Sequence, residues 1–154
     1  MGREVRRVPA DWQHPKYTEE NAPFERAVGR YIPMFDGGYA EAAAEFLEKA
    51  NSEGLEEALD YFGSAPKREE YMPDWPEAER THFVMYEDTS EGTPISPAFE
   101  TPEALARWLA DTGASAFADQ TASYEAWLRI ANGGFAPSAI MIGGKLTSGV
   151  EALS

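Results

Sequence analysis

The sequence predicts an α+β fold in which a small antiparallel sheet packs with about four helices. Amphipathic helical patterns and short β-branched or aromatic runs follow one another in blocks, helices then strands then helices then strands. The 154 residues are 43% hydrophobic and 12% aromatic, which is enough material for one buried core without disulfides. We therefore expect a proline- and aromatic-rich arm over residues 1–38 and a single α+β domain over residues 39–154.

The arm is predicted from its prolines, which interrupt any long helix, and from aromatic residues that show no strand alternation. An arm with so many aromatic side chains is expected to dock, either on the body of the domain or on a partner. The expected anchors are Trp12, Tyr31 and Phe35.

Four segments show helical periodicity, namely residues 39–51, 55–62, 102–112 and 122–131. The first two form a predicted helical hairpin, with Phe46 and Leu47 on the inner face of the first helix and Leu55, Leu59 and Phe62 on that of the second. An ion pair is expected one helical turn apart, between Glu45 and Lys49. Further along, Thr101 followed by Pro102 is typical of a helix start, with the threonine as N-cap.

Four segments are predicted strands, over residues 81–87, 94–99, 139–142 and 145–148. The run "THFVMYED" has the β-branched and aromatic content of a strand, while Pro94 and Pro97 place the following segment at a sheet edge. The last two strands flank Gly143-Gly144, a two-residue hairpin signal.

The net charge of −14 lies entirely in residues 37–154, because residues 1–36 carry equal numbers of acidic and basic groups. This field disfavours direct contact with nucleic acid and with anionic membranes, since both kinds of binding depend on Lys and Arg. It favours a partner with a basic surface, or simply a solvated exterior. The outer face of the first two helices is the predicted interaction surface, formed by Glu41, Glu45, Glu48, Glu56, Glu57 and Asp60.

Sequence motifs indicate no specific chemistry. The chain has no cysteine, which excludes thiol catalysis and cysteine-ligated metals. His14 and His82 lack a helical spacing to another strong ligand, so we predict no metal site, and "GGKLTSG" lacks the helix that a phosphate loop requires. We predict no catalytic residue and no cofactor, and the charged start and the lack of a long apolar run predict a cytoplasmic protein.

The segment "YEDTSEGTPISP", residues 86–97, combines carboxylates and hydroxyls but fits neither a calcium loop nor a glycosidase pair, and each of its turn residues has a backbone role. One alternative remains open beside it, a small-ligand protein or weak enzyme with a pocket near this loop. The pocket residues would be Trp75, Tyr86, Ser90, Glu91, Tyr124 and Trp127.

Most of the chain resembles a group of uncharacterised small acidic proteins of tailed phages and prophages. The resemblance rests on "YMPDWPEAERTHFVMYEDTSEGTPISPAFETPEALARWLADTGASAF", "TASYEAWL" and "GFAPSAIM", and on the shorter "VPADWQHPK" and "RYIPMFDGG". It implies a non-enzymatic phage protein in the host cytoplasm that acts by protein–protein binding, as an inhibitor of a host defence complex such as CRISPR or restriction. An accessory virion protein is a second alternative, for which self-assembly would be the sign.

Overall fold

The computed structural model confirms the α+β class. It describes residues 2–87, 92–116, 120–133, 135–137, 139–142 and 145–148, with side chains up to residue 133. The four helices are α1 Tyr39–Glu53, α2 Leu55–Phe62, α3 Pro102–Asp111 and α4 Tyr124–Gly133. The strands are β1 Gly2–Val8, β2 His82–Glu87, β3 Thr93–Pro94, β4 Phe135–Pro137, β5 Ala139–Ile142 and β6 Lys145–Ser148.

Helix ends follow the predicted local signals closely. The backbone N–H of Ala104 donates to Thr101 Oγ1 at 3.1 Å, so Thr101 is the N-cap of α3 with Pro102 directly after it. Helix α4 begins at Tyr124, two residues later than predicted, because Ser123 provides the cap and accepts from Ala126 N–H at 3.2 Å.

Two compact units divide the chain, and their boundaries differ from the predicted ones. The sheet unit comprises Met1–Pro33 together with Trp75–Ser154, and the hairpin unit comprises Met34–Asp74 with α1 and α2. The start of the predicted arm is also a folded element, since Gly2–Val8 is an inner strand of the sheet.

The four-stranded sheet has the order β3-β2-β1-β4, and every neighbouring pair is antiparallel. Strands β5 and β6 form a separate antiparallel pair with Ile142 opposite Lys145, as the sequence predicts. The predicted strand over 94–99 is shorter than expected: β3 ends at Pro94, and Phe99 adds an isolated bridge to Phe83.

The register of β1 on β2 gives the sheet two different faces. Val5 lies opposite Met85 and Arg6 lies opposite Val84, and successive residues of a strand point to opposite sides. Val5 and Met85 belong to the main core, which α3 and α4 complete with Leu105, Leu109, Trp127 and Ile130. The other face carries Arg6, Val84 and Tyr86, and the segment after β1 packs there.

Candidate functional site

The predicted interaction surface is fully exposed on the hairpin unit. We call it the acidic face; it consists of Glu41, Glu45, Glu48, Glu56, Glu57 and Asp60, all of them exposed. Lys49 does not pair with Glu45 as predicted. It pairs with Glu53, one helical turn further along, and Lys49 Nζ lies 2.6 Å from Glu53 Oε2. This hydrogen bond raises the pKa of Lys49, and the ammonium also lies 4.5 Å from the centre of the Tyr61 ring.

The inner faces predicted for α1 and α2 are mostly not buried. Leu47 and Leu55 are each 59% exposed and Leu59 and Phe62 are each 39% exposed, while Phe46 and Ala58 are the buried residues of the two helices. Tyr61, which was not predicted to face inward, is 71% exposed. A unit this small has little interior to offer its apolar side chains. We call the exposed group the apolar edge; it consists of Leu47, Leu55, Leu59, Tyr61 and Phe62.

A groove of about 400 Å³ runs between α1 and α2, and it combines acidic and aromatic side chains. Glu45, Glu48 and Glu53 provide the carboxylates, and Tyr61 and Phe62 provide the aromatic surface. Carboxylates beside aromatic rings are suited to Lys or Arg side chains, through ion pairing and cation–π contact. Lys49 shows this chemistry within the chain itself.

The four described residues of the alternative pocket do not come together in one site. Trp127 is completely buried in the core beside Met85, and Tyr124 packs under the guanidinium of Arg107, whose Cζ is 4.0 Å from the ring centre. Tyr86 and Trp75 belong instead to the opposite side of the sheet, where both contact Trp12. Ser90 and Glu91 lie outside the described residues.

A different cavity exists on that side of the sheet. It has a volume of about 680 Å³, and we call it the aromatic cavity because Trp12, His14, Tyr31 and Tyr86 line it, together with Pro94, Ser96 and Pro97 from the far end of the 86–97 segment. The sequence indicated Trp12 and Tyr31 only as docking anchors. Nothing local could show that His14, 72 residues away from Tyr86, is its hydrogen-bonding partner.

Three hydrogen bonds hold the wall of this cavity. His14 Nε2 lies 2.5 Å from the Ile32 carbonyl oxygen, which can only accept, so Nε2 carries the proton. His14 Nδ1 then accepts from the Tyr86 hydroxyl at 2.9 Å, and the Tyr86 oxygen accepts from Trp12 Nε1–H at 3.2 Å. The Arg6 guanidinium stacks on the Tyr86 ring, with Cζ 4.3 Å from the ring centre.

The surroundings of His14 favour its neutral form. Burial lowers the pKa of His14 below its ordinary value; the hydrogen bond to Ile32 opposes this shift, and the positive charge of Arg6 adds to it. A neutral ring agrees with the hydrogen-bond pattern, because Nδ1 serves as an acceptor. Both ring nitrogens are engaged, so His14 acts here as part of a fixed wall.

The described part of the chain contains neither a cluster of metal ligands nor a membrane-spanning helix. Within it, no three His, Asp or Glu side chains come together in a group that could hold a metal ion. None of its helices combines the length and the apolar composition that crossing a bilayer requires.

Comparisons with protein-family models, with curated proteins and with solved structures gave no match.

Proposed function

We propose that this chain is a protein-binding module that docks the acidic face and the apolar edge of its hairpin unit against a basic partner surface. The observation that carries the proposal is the exposure of five large apolar side chains on the same two helices that present six exposed carboxylates. Large exposed apolar patches rimmed by polar residues mark interaction sites on protein surfaces.

Charge is concentrated on the hairpin unit. Residues 34–74 contain eleven acidic and three basic side chains, a net charge of −8 out of the −14 of the whole chain. A field of this kind speeds encounter with a basic surface and selects against acidic ones. The apolar edge would then supply the buried contact, with Tyr61 as the most exposed aromatic anchor.

The dimensions of α1 favour competition for a basic patch over imitation of a whole duplex. Its 15 residues span about 22 Å, over which a DNA duplex carries about 13 phosphate charges. Three carboxylates of the acidic face, Glu41, Glu45 and Glu48, lie on α1, about a quarter of that number of charges. We extend the proposal accordingly: the partner is a host defence complex with a nucleic-acid-binding surface, in keeping with the resemblance to phage proteins.

The test is a phage-plating assay on host cells that carry an active CRISPR or restriction system. Expression of the chain should raise plating efficiency, and the variant Glu45→Lys/Glu48→Lys/Glu56→Lys/Glu57→Lys should abolish the effect. The control variant Glu19→Lys/Glu20→Lys/Glu79→Lys/Glu100→Lys makes the same charge change at exposed sites of the sheet unit and should keep full activity.

A pull-down of the partner tests binding directly and complements the plating assay. A partner pulled down by the chain and by the control variant should be missing with the hairpin variant, and its retention should fall as salt rises. Circular-dichroism melts establish that each variant is folded. The role of the acidic face would be refuted if the folded variant with four Glu→Lys changes in the hairpin unit raised plating efficiency, or captured the partner, as well as the natural chain does.

A further inference from the structure

The aromatic cavity lies wholly within the sheet unit, so it is independent of the hairpin surface. Its volume of about 680 Å³ falls in the range of about 300–1,000 Å³ that is usual for small-molecule sites. The walls are aromatic, and the hydrogen bonds among Trp12, His14 and Tyr86 fix them in place. A wall fixed in advance lowers the entropy that the protein loses when a ligand binds.

The charge around this cavity is opposite to that of the chain as a whole. Among the described residues that line it, Lys16 is charged and none is an aspartate or glutamate, although 27 of the 154 residues are acidic. A neighbouring cavity of about 520 Å³ shares Lys16 and Tyr31 and adds Arg30, again without an acidic lining residue in the described part.

The two cations are available to a ligand. Lys16 Nζ lies over the Tyr31 ring, 4.9 Å from its centre, and neither Lys16 nor Arg30 forms an ion pair within the described residues. By contrast, Arg6 and Arg7 each have a carboxylate partner, in Glu4 and Glu77. Lys16 lines both cavities and Arg30 lines the neighbouring one, so within the described residues the charged side chains of the two linings are cations without an ion-pair partner.

We propose that the aromatic cavity binds a small molecule made of a planar aromatic ring and an anionic group. The ring packs against Trp12 and Tyr31, where offset or edge contacts are favourable. The anionic group lies at the rim, where Lys16 and Arg30 donate charge-assisted hydrogen bonds. Neutral His14 shapes the wall and adds no charge of its own.

The experiment uses two fluorescent probes that differ by one charge. 8-Anilino-1-naphthalenesulfonate carries an aromatic ring system and a sulfonate, and N-phenyl-1-naphthylamine lacks the sulfonate. Titration into the full chain should show tighter binding of the sulfonate probe. The variant Lys16→Gln/Arg30→Gln should lower the affinity for that probe by about fivefold or more, as expected for loss of about 1 kcal/mol. Its affinity for the uncharged probe should stay the same.

Two further variants make the result specific to this cavity. Lys49→Gln/Lys67→Gln removes the same charge from the hairpin unit and should leave both probes unaffected, which separates the cavity from the apolar edge. Ala10→Trp places a large ring at an exposed lining position and should weaken both probes. Equal affinity of both probes, an equal loss for both in the Lys16/Arg30 variant, or unchanged binding to the folded Ala10 variant would each overturn the proposal.

Discussion

The hairpin unit and the sheet unit depart from their sequence patterns in opposite directions. In the hairpin unit, side chains predicted to be buried are exposed, and in the sheet unit, charged side chains are buried. The hairpin has the clearest helical stripe in the sequence, yet six of the nine large apolar side chains found exposed lie in residues 34–74. The start of the chain has no clear apolar pattern, yet Arg3 and Arg6 are only 5% and 3% exposed. An amphipathic pattern therefore indicates which face of a helix is apolar, and the size of the surrounding unit decides whether that face is buried.

The largest effect should come from matched leucine truncations in the two units. Leu109→Ala removes a completely buried side chain from the main core and should lower the free energy of unfolding by about 2–5 kcal/mol. Leu55→Ala, at a position 59% exposed, should cost less than about 1 kcal/mol. Urea unfolding measures both, and similar costs would show that the hairpin leucine is buried in solution.

A smaller effect is expected from removing one hydroxyl in the aromatic cavity. Tyr86→Phe leaves Trp12 Nε1–H and His14 Nδ1 without the partner they share; both side chains are half-buried, so the free energy of unfolding should fall by about 1 kcal/mol. The same exchange at exposed Tyr61 should change stability by less than about 0.5 kcal/mol. Hydrogen exchange should also quicken at the backbone N–H of Ile32, which donates to the Pro15 carbonyl beside His14. Unchanged exchange there, with unchanged stability, would contradict the network.

Local sequence predicted some elements of the fold and missed others. Helix α3 was predictable because Thr101, Pro102 and the following stripe act within a few residues of one another. Strand β1 was not, because its inward-facing residues include arginines whose burial depends on distant partners. Arg3 Nε donates to the carbonyl of Ser115 at 3.0 Å, and Arg6 stacks on Tyr86.

The same reasoning applies to the candidate sites. The acidic face was visible in the sequence because helical spacing alone places its carboxylates outside. The aromatic cavity was hidden because it needs two loops and a strand that are far apart in the chain, joined by His14, Ile32 and Tyr86.

A third prediction concerns pH and the sheet unit alone. The pKa of His14 is lowered in the folded state, so as pH falls the unfolded chain takes up this proton first, near its ordinary value of about 6.5. The stability that neutral His14 contributes is thus complete above that pH and declines as pH falls from there toward the folded-state pKa. Between pH 7.5 and pH 5, the free energy of unfolding should fall more steeply for the natural chain than for His14→Asn.

His82 provides the matched control, since it is the other of the two histidines. It lies at the start of β2, where its Nδ1 is 2.8 Å from Thr81 Oγ1. His82→Gln should keep the steep decline of the natural chain. Parallel curves for the natural chain and His14→Asn would mean that the hydrogen bonds of His14 persist when the ring is charged.

The smallest effect on stability is expected from substitutions in the apolar edge, which should have a large effect on binding. Leu47→Gln/Leu55→Gln changes two side chains that are mostly in water, so the unfolding free energy should shift by less than about 0.5 kcal/mol per site. If the apolar edge is the buried centre of the interface, the same variant should lose capture of the partner, because truncated central contacts are costly there. Val28→Gln, at an exposed apolar position of the sheet unit, should alter neither quantity. Retained capture by the leucine variant would leave the acidic face to act by charge alone, and raised salt would then be sufficient to release the partner.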